Sequence, residues 1–211
     1  MEVDYIMQNL SKIYTGCNSC KDYLDKYLKY LTKVFNEIDC SAIEKIIDIF
    51  QNVRINDKTI FLIGNGGSAA TCSHLSEDLS FGAFVNGKKP FKTNCLTDNT
   101  SYITALGNDI GFENVFLGQL RCLLEEGDVV VGISGSGNSP NIIKAMKYAN
   151  QNNAITVGLL GFDGGKMKDI CKYNIIVKTE KGMYGPVEDM HMILAHIIST
   201  YLLLKLNEEE D

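Results

Sequence analysis

The spacing of apolar residues along the chain changes at about residue 57. Before that point apolar side chains recur every three or four positions, which is typical of amphipathic helices, in three sets at residues 5–13, 23–35 and 43–50. Ser41, with Glu44 three residues later, predicts a capping box at the start of the third helix. Apolar faces of this length can cover a sheet or form a subunit interface.

After residue 58, short apolar strands alternate with helical segments. Strands are predicted at residues 59–63, 94–97, 129–134, 155–160 and 174–177. Helices are predicted at residues 101–106, 112–124 and 141–150, with a turn at 107–109, and a last, very apolar helix at 187–206. This alternation predicts βαβ units and a parallel sheet. We expect an α/β chain with an N-terminal helical segment (1–56), a sheet-containing domain (57–206) and an acidic tail (207–211), forming a single domain overall.

Two of the predicted strands end in turns rich in glycine and serine that lead into helices. GNGGSA follows the first strand, with Ser68 expected at the helix start, and SGSGNSP follows the strand at 129–134. Such turns meet at the carboxyl edge of a parallel sheet, where ligands bind, and the N–H groups of a helix start attract anions. The first turn has no following Lys-Ser/Thr pair and does not fit G-x-G-x-x-G. The two turns predict a phosphate site, although plain strand-to-helix connections would have the same composition.

All three histidines fall on two of the predicted helices. His74 and Asp78 are four residues apart and share one helix face. The last helix carries Glu188, His191 and His196. A histidine and a carboxylate at this spacing can hold a divalent metal or act as an acid–base pair. A histidine in an apolar helix is also often only a core residue, so both interpretations stay open.

Charge and cysteine content exclude several functional classes. The 211 residues carry a formal net charge of −6, which argues against a nucleic-acid or anionic-membrane partner. No apolar run is expected to span a bilayer and the N-terminus lacks the pattern of a signal peptide, so we expect a cytoplasmic protein without a membrane partner. The seven scattered cysteines are expected to be free thiols, and Cys17 with Cys20 forms a single CxxC that only weakly indicates a metal or redox site.

Several segments together resemble the SIS (sugar isomerase) domain family, and within it the bacterial phosphoheptose isomerases. The resemblance covers residues 20–206 and lies in GNGGSAA, SHLSEDL, LTDN, GNDIGFENVF, GDVVVGISGSGNSPNIIKA, GFDGGKM and EDMHMILAH. It implies a three-layer α/β/α sandwich of flavodoxin-like type with a five-stranded parallel sheet. It also implies a homotetramer with active sites at subunit interfaces. The implied reaction converts D-sedoheptulose 7-phosphate reversibly to D-glycero-D-manno-heptose 7-phosphate, for lipopolysaccharide or capsule precursors.

The same resemblance assigns roles to individual residues. The positions that match substrate and phosphate contacts are Asn65, Gly66, Gly67, Ser68, Asn108, Asp109, Ser134, Gly135, Ser136, Ser139 and Glu188. One Zn²⁺ per subunit is expected on His74, Asp78, Glu188 and His196.

Two of these positions depart from the family pattern, because Asp78 stands where Glu is usual and Glu188 where Gln is usual. Aldose–ketose isomerisation moves a proton between C1 and C2 through a cis-enediol, so a base must abstract it and an acid or metal must stabilise the enediolate. We expect Asp78 or Glu188 as the base and His196 as the acid. The alternatives are an isomerase of another ketose phosphate and a non-catalytic sugar-phosphate-binding regulator, which would not need the histidine and carboxylate set.

Overall fold

The structure is a computed structural model that describes residues 12–209. A five-stranded sheet lies between two layers of helices. The strands are β1 (Thr59–Gly64), β2 (Lys92–Cys95), β3 (Val129–Ser134), β4 (Ile155–Gly161) and β5 (Tyr173–Val177). The helices are α1 (Cys20–Asn36), α2 (Cys40–Ile55), α3 (Gly67–Glu77), α4 (Thr100–Ile110), α5 (Val115–Leu123), α6 (Pro140–Gln151), α7 (Met167–Ile170) and α8 (Tyr184–Glu208). All strands are parallel, in the order β2-β1-β3-β4-β5, so the predicted three-layer α/β/α sandwich is confirmed.

Alternation along the strands divides the core into two halves. In β1, Ile60 and Leu62 face the layer of α1, α2, α3 and α8, whereas Phe61 and Ile63 face the layer of α5, α6 and α7. All four side chains are at most 2% exposed. Because both faces of the sheet are covered, its strands are almost continuously apolar, as is usual for parallel sheets.

The strand register brings the carboxyl ends of the central strands together. Gly64 pairs with Ile133 and Ser134 with Leu160, so β1, β3 and β4 end side by side. The strand order reverses between β1 and β3, and the crevice at such a reversal is where open α/β sheets bind ligands. The turns singled out in the sequence therefore lie next to each other.

Helix starts differ in detail from the sequence prediction. The predicted capping box of Ser41 and Glu44 is wrong, because the cap of α2 is Asp39. The Asp39 carboxylate accepts hydrogen bonds from both the backbone N–H and the hydroxyl of Ser41, at 3.0 and 2.6 Å. Ser19 caps α1, and its hydroxyl accepts a hydrogen bond from the N–H of Asp22.

The bounds of several other helices and strands differ from the sequence prediction by a few residues. The predicted turn at 107–109 is wrong, because α4 runs through these residues to Ile110. The helix is terminated instead by Gly111, whose φ of 88° favours glycine. β2 begins and ends two residues earlier than predicted, and α8 is longer than residues 187–206. The predicted helix at 5–13 lies almost wholly outside the described residues.

Within the described residues, α8 alone is long and apolar enough to span a membrane by length and composition, contrary to the sequence expectation. Leu194, Ala195, Ile198 and Leu202 of this helix are at most 1% exposed and form part of the core. Packing on the sheet therefore accounts for its apolar composition.

The Asp128 carboxylate closes the turn before β3, and its substitution tests this role. It is 2% exposed and accepts hydrogen bonds from the N–H groups of Thr59 and Glu125, at 2.8 and 2.7 Å. Asp128→Ala leaves both donors without a partner and should reduce the free energy of unfolding by about 3 kcal/mol. Urea unfolding measures this value. Glu126→Ala, an exposed residue of the same turn, should change it by less than about 0.5 kcal/mol, and equal effects would contradict the assigned role.

His191, on the buried side of α8, should make stability depend on pH. It is 1% exposed, and burial lowers its pKa to about 4, although the nearby Leu160 carbonyl favours the protonated form. An unfolded histidine titrates near 6.5, so the unfolded state binds more protons between these values, and stability falls as pH decreases through this window. The loss between pH 7 and pH 5 should be about 2 kcal/mol.

His191→Leu should remove this component from the pH dependence measured by urea unfolding. The wild type and His191→Leu contain the same carboxylates, so the contribution of those groups cancels when the pH dependence of the two proteins is compared. If His191→Leu lost as much stability between pH 7 and pH 5 as the wild type does, the assignment to His191 would be contradicted.

Candidate active site

The turn after β1 presents backbone to the crevice. Gly66 has φ 56° and ψ −124°, a conformation open to glycine and rare for other residues. α3 begins at Gly67, one residue before the predicted start at Ser68. A Cβ on Gly67 would lie 2.6 Å from Oε2 of Glu188. The lack of a side chain at this position therefore lets α8 bring a carboxylate against the first turn of α3.

The turn after β3 is folded by its own hydroxyls. The N–H of Gly137 donates to Oγ of Ser134 at 3.1 Å, and the N–H of Asn138 donates to Oγ of Ser136 at 3.2 Å. A Cβ on Gly137 would lie 2.0 Å from the Gly164 carbonyl oxygen, so this turn packs backbone to backbone on the turn after β4. Both serine hydroxyls accept in these bonds and keep their protons free to donate to a ligand.

A pair of amides joins the turns after β1 and β3. Asn65 Nδ2 donates to Asn141 Oδ1 at 3.0 Å, and Asn141 Nδ2 donates back to Asn65 Oδ1 at 2.8 Å. Asn141 is 2% exposed and its Oδ1 also accepts from the N–H of Ile142. The predicted substrate residue Asn65 thus has its side-chain amide engaged in holding the two turns together.

These turns enclose a cavity of about 180 Å³, which we call the Gly/Ser cavity. It is lined by Asn65, Ser68, Ile133, Ser134, Gly135, Ser136, Ser139, Ile142, Tyr184 and Glu188. Seven of these ten residues belong to the predicted substrate set. The volume is small for a complete ligand pocket and suits the phosphate end of a larger molecule.

Glu188 is the acidic side chain in the wall of the Gly/Ser cavity. Burial, and secondarily the charge of Asp189, raises the pKa of its carboxyl group. Asp189 itself accepts a hydrogen bond of 2.5 Å from the hydroxyl of Tyr27. Burial and this bond raise the pKa of Tyr27. α1 therefore contacts the start of α8 directly beside the cavity.

A second group of side chains, which we call the His–Asp–His cluster, consists of His74, Asp78 and His196. The two imidazole Nε2 atoms are 3.0 Å apart, and Asp78 Oδ2 lies 3.5 Å from Nε2 of His74. The rings meet edge to face, with centroids 5.0 Å apart. Asp78 begins a π-helical turn, Asp78–Gly82, that follows α3. Such turns often occur at functional sites.

The donor set of this cluster fits a divalent metal. One ligand atom from each of the three residues can be chosen so that all lie within 4.8 Å of one another, and no other group of this kind occurs among residues 12–209. Tetrahedral zinc with bonds of about 2.0–2.1 Å places two nitrogen ligands roughly 3.3 Å apart, close to the separation seen here. Two histidines and one carboxylate are a common ligand set of catalytic zinc, with a fourth position left for water or substrate.

The structure does not bring every predicted residue together. Glu188 lines the Gly/Ser cavity and is not part of the His–Asp–His cluster. Asn108 and Asp109 lie on the exposed last turn of α4, where Asn108 Nδ2 donates to Asp109 Oδ1 at 2.9 Å. They do not line the Gly/Ser cavity of this chain.

Sequence reasoning missed four residues of this region. Asn141 and Tyr184 contact the cavity or its turns, and Ser199 Oγ donates to Asp78 Oδ2 at 3.2 Å. Asp98 follows β2 and accepts a hydrogen bond from the hydroxyl of Ser73. Its place directly after a strand could have identified Asp98, because carboxyl-edge positions meet in a parallel sheet. The other three depend on tertiary contacts.

The CxxC of Cys17 and Cys20 shows no metal site. Both thiols are free, and Sγ of Cys17 donates to the Ile13 carbonyl. Neither cysteine belongs to a metal-binding group within the described part of the chain. The weak indication from the sequence gains no support.

Comparison with known proteins places this arrangement in a family. Residues 22–161 match the model of the SIS domain. The phosphoheptose isomerase of a Nitratiruptor species is 41% identical over 147 residues, which cover 70% of this chain and 77% of the relative. That of Geotalea uraniireducens is 37% identical over 186 residues, covering 88% and 96%.

A solved structure agrees with these sequence relatives. The phosphoheptose isomerase GmhA from Neisseria gonorrhoeae superposes with a TM-score of 0.79 at 29% identity, covering 87% of this chain and 98% of that one. The region matched by the SIS domain model contains β1 to β4 and the turns after β1 and β3 that form the Gly/Ser cavity. This chain belongs to the SIS domain family.

Proposed function

We propose that this protein is a phosphosugar isomerase that interconverts D-sedoheptulose 7-phosphate and D-glycero-D-manno-heptose 7-phosphate through an enediol. The observation that carries the proposal is that the same two helices supply both halves of the site. α3 contributes Ser68 to the Gly/Ser cavity and His74 to the His–Asp–His cluster. α8 contributes Glu188 to the first and His196 to the second. The relatives named phosphoheptose isomerase support the choice of substrate.

The Gly/Ser cavity binds the phosphate in this proposal. Ser134, Ser136 and Ser139 offer hydroxyl donors, and Ser139 forms no capping bond within α6. The start of α6 adds the positive end of a helix dipole. These groups bind a dianion without a lysine or arginine, and they fix the reacting carbons relative to α3 and α8.

Proton transfer falls to the His–Asp–His cluster. Asp78 is the base that takes the proton from C1 or C2, and His196 is the acid that protonates the enediolate oxygen. We prefer Asp78 to Glu188 as the base because Asp78 and His196 lie in one cluster, whereas Glu188 is eight residues and about 12 Å along α8 from His196. Proton transfer requires both groups within hydrogen-bond reach of adjacent substrate atoms.

Glu188 then binds the sugar between the two halves. Its carboxylate lies in the cavity wall against Gly67, where it can accept hydrogen bonds from sugar hydroxyls. Its raised pKa lowers the cost of placing an acidic group near a phosphate, because the carboxyl group is more readily neutral there.

We further propose that the cluster can hold one Zn²⁺ through His74, Asp78 and His196, in an alternative state in which Asp78 and His196 are ligands instead of the base and the acid. When bound, zinc would polarise the carbonyl or enediolate oxygen of the substrate. Glu188, which the resemblance also assigned to the metal, is left outside this ligand set because of its position in the Gly/Ser cavity.

The proposed assembly is a homotetramer with sites at subunit interfaces. Supporting it, apolar side chains stay exposed on α1 and α8: Leu24, Leu28, Phe35, Tyr201 and Leu204. Two of them, Phe35 and Tyr201, line a groove of about 470 Å³ between α2 and α8. His74 is 45% exposed, so a neighbouring subunit could also close the open side of the site.

A cytoplasmic location and a role in lipopolysaccharide or capsule precursor synthesis complete the proposal. All seven cysteines are free thiols, which fits a reducing compartment. The pathway follows from the proposed substrate.

Purified protein should convert sedoheptulose 7-phosphate to the aldose phosphate. NMR of the sugar, recorded with and without added zinc, measures this conversion. His196→Ala should reduce turnover more than tenfold, because it removes the acid of the cluster. Thr200→Val is the matched control, since the Thr200 hydroxyl bonds only to carbonyls of its own helix. Saturable binding of the sugar phosphate without turnover would favour a regulator, and turnover of a different ketose phosphate alone would reassign the substrate.

Glu188→Gln should reduce turnover more than tenfold as well, because the amide has one acceptor fewer for the sugar hydroxyls. Steady-state kinetics on sedoheptulose 7-phosphate measure the effect. Glu77→Gln, which removes an exposed carboxylate from α3, should leave the rates unchanged. A Glu188→Gln protein with wild-type rates would remove this residue from the mechanism.

A further inference from the structure

Ser199 lies beneath the His–Asp–His cluster, on the side of α8 that faces the core. It is 4% exposed, and its Oγ lies 3.2 Å from Oδ2 of Asp78. The same carboxylate oxygen lies 3.5 Å from Nε2 of His74. One oxygen of Asp78 is thus shared between an imidazole at the surface and a buried hydroxyl on the neighbouring helix.

The backbone around Asp78 limits where its carboxylate can point. The π-helical turn is closed by a 2.7 Å hydrogen bond from the N–H of Ala83 to the Asp78 carbonyl. This turn brings Gly82 beside the other carboxylate oxygen, and a Cβ there would lie 3.6 Å from Oδ1. Asp has a short side chain with few rotamers, so a single additional donor is enough to select one orientation.

We propose that Ser199 is a positioning residue that holds the short Asp78 carboxylate toward His74 and His196. The inference rests on the proposed function, in which Asp78 acts within the cluster. Side chains that hydrogen-bond to reactive or ligating carboxylates orient them, and their loss commonly costs one to two orders of magnitude in activity or affinity.

Ser199 has a second acceptor, which supplies the competing explanation. Its Oγ is 3.3 Å from the carbonyl of His196, one turn earlier in α8. Serines inside helices often bond back in this way, without any functional role. The two roles make different predictions when the side chain at position 78 is lengthened.

The first experiment measures kcat and KM for sedoheptulose 7-phosphate in a double-mutant cycle. Ser199→Ala should lower kcat about tenfold and leave KM within twofold, because the phosphate contacts are untouched. Asp78→Glu adds a methylene that extends the carboxylate past the hydroxyl. In that background Ser199→Ala should change kcat by less than twofold. If Ser199→Ala lowered kcat equally in both backgrounds, its hydroxyl would act only through the bond to the His196 carbonyl, and the proposal would be overturned.

The controls separate the contact from a general effect on α8. Ser199→Thr keeps the hydroxyl and should restore at least half of the wild-type kcat. Thr200→Val removes the adjacent hydroxyl, which contacts only its own helix, and should leave kcat unchanged in both backgrounds. A loss of kcat in Thr200→Val as large as that in Ser199→Ala would count against Ser199.

A second double-mutant cycle measures stability and needs neither sugar nor metal. Urea unfolding of the metal-free protein should show a lower midpoint for Ser199→Ala in the wild-type background and no further change in Asp78→Ala, because the acceptor is already absent. Additive shifts would overturn the proposal even if the protein is active. If the wild type fails to isomerise the sugar, the proposed function is wrong, and this cycle alone decides whether Ser199 holds Asp78.

Discussion

The packing of α8 across α3 is the contact on which the whole site depends. Leu75 of α3 and Leu194 and Ile198 of α8 are each at most 1% exposed and belong to one core. This apolar contact fixes the distance between two helices whose polar residues would not otherwise meet. His74 and His196 lie far apart in the chain, and their Nε2 atoms are 3.0 Å apart only because the core beneath them is packed. Two exposed imidazoles contribute little to this arrangement themselves, so hydrophobic burial provides the stability and the polar groups take the geometry that it imposes.

The sheet supplies the second constraint, which is a common edge. Parallel strands in register end together, and the turns that follow must share the same space. Glycine occupies positions where the turns lie so close that a side chain would clash. Gly137 lies against the Gly164 carbonyl, and Gly67 lies against Glu188. The amide pair of Asn65 and Asn141 then joins the two turns beyond the point where the pairing of β1 with β3 ends. The geometry of the proposed phosphate site is therefore a consequence of close backbone packing, in which the hydroxyls of the turns are left facing inward.

Sequence reasoning reached the fold because the fold follows from local patterns. Strands of uniform apolar character, separated by helical spacing, leave few arrangements other than a covered parallel sheet. Element bounds were less accurate where backbone conformation outweighs composition. The glycine at 107 looked like a turn, yet α4 continues through it, and Gly111 with its positive φ ends the helix. The site was predictable as far as it depends on carboxyl-edge turns and i,i+4 spacing. The separation of Glu188 from the cluster and the contact of Ser199 with Asp78 arise from tertiary packing, which has no local pattern.

The surroundings of Asp78 would let a shorter carboxylate act in the proposed chemistry of the cluster. Shortening a side chain by one methylene moves its oxygens away from their partners unless the backbone or a neighbour compensates. Here both do so, since the π-helical turn begins at Asp78 and the hydroxyl of Ser199 lies within hydrogen-bond distance of Oδ2. The Glu188 carboxylate is accommodated by the absence of a Cβ at Gly67, and a glutamine of the same length would need this space equally. A carboxylate in the cavity wall is costly beside a phosphate, and burial shifts its pKa in the direction that reduces this cost. Of the two departures that the resemblance implies, the one at Asp78 changes the length of the side chain and the one at Glu188 changes only its charge. The Ser199 hydroxyl lies against the first, and the raised pKa of the carboxyl group offsets the second.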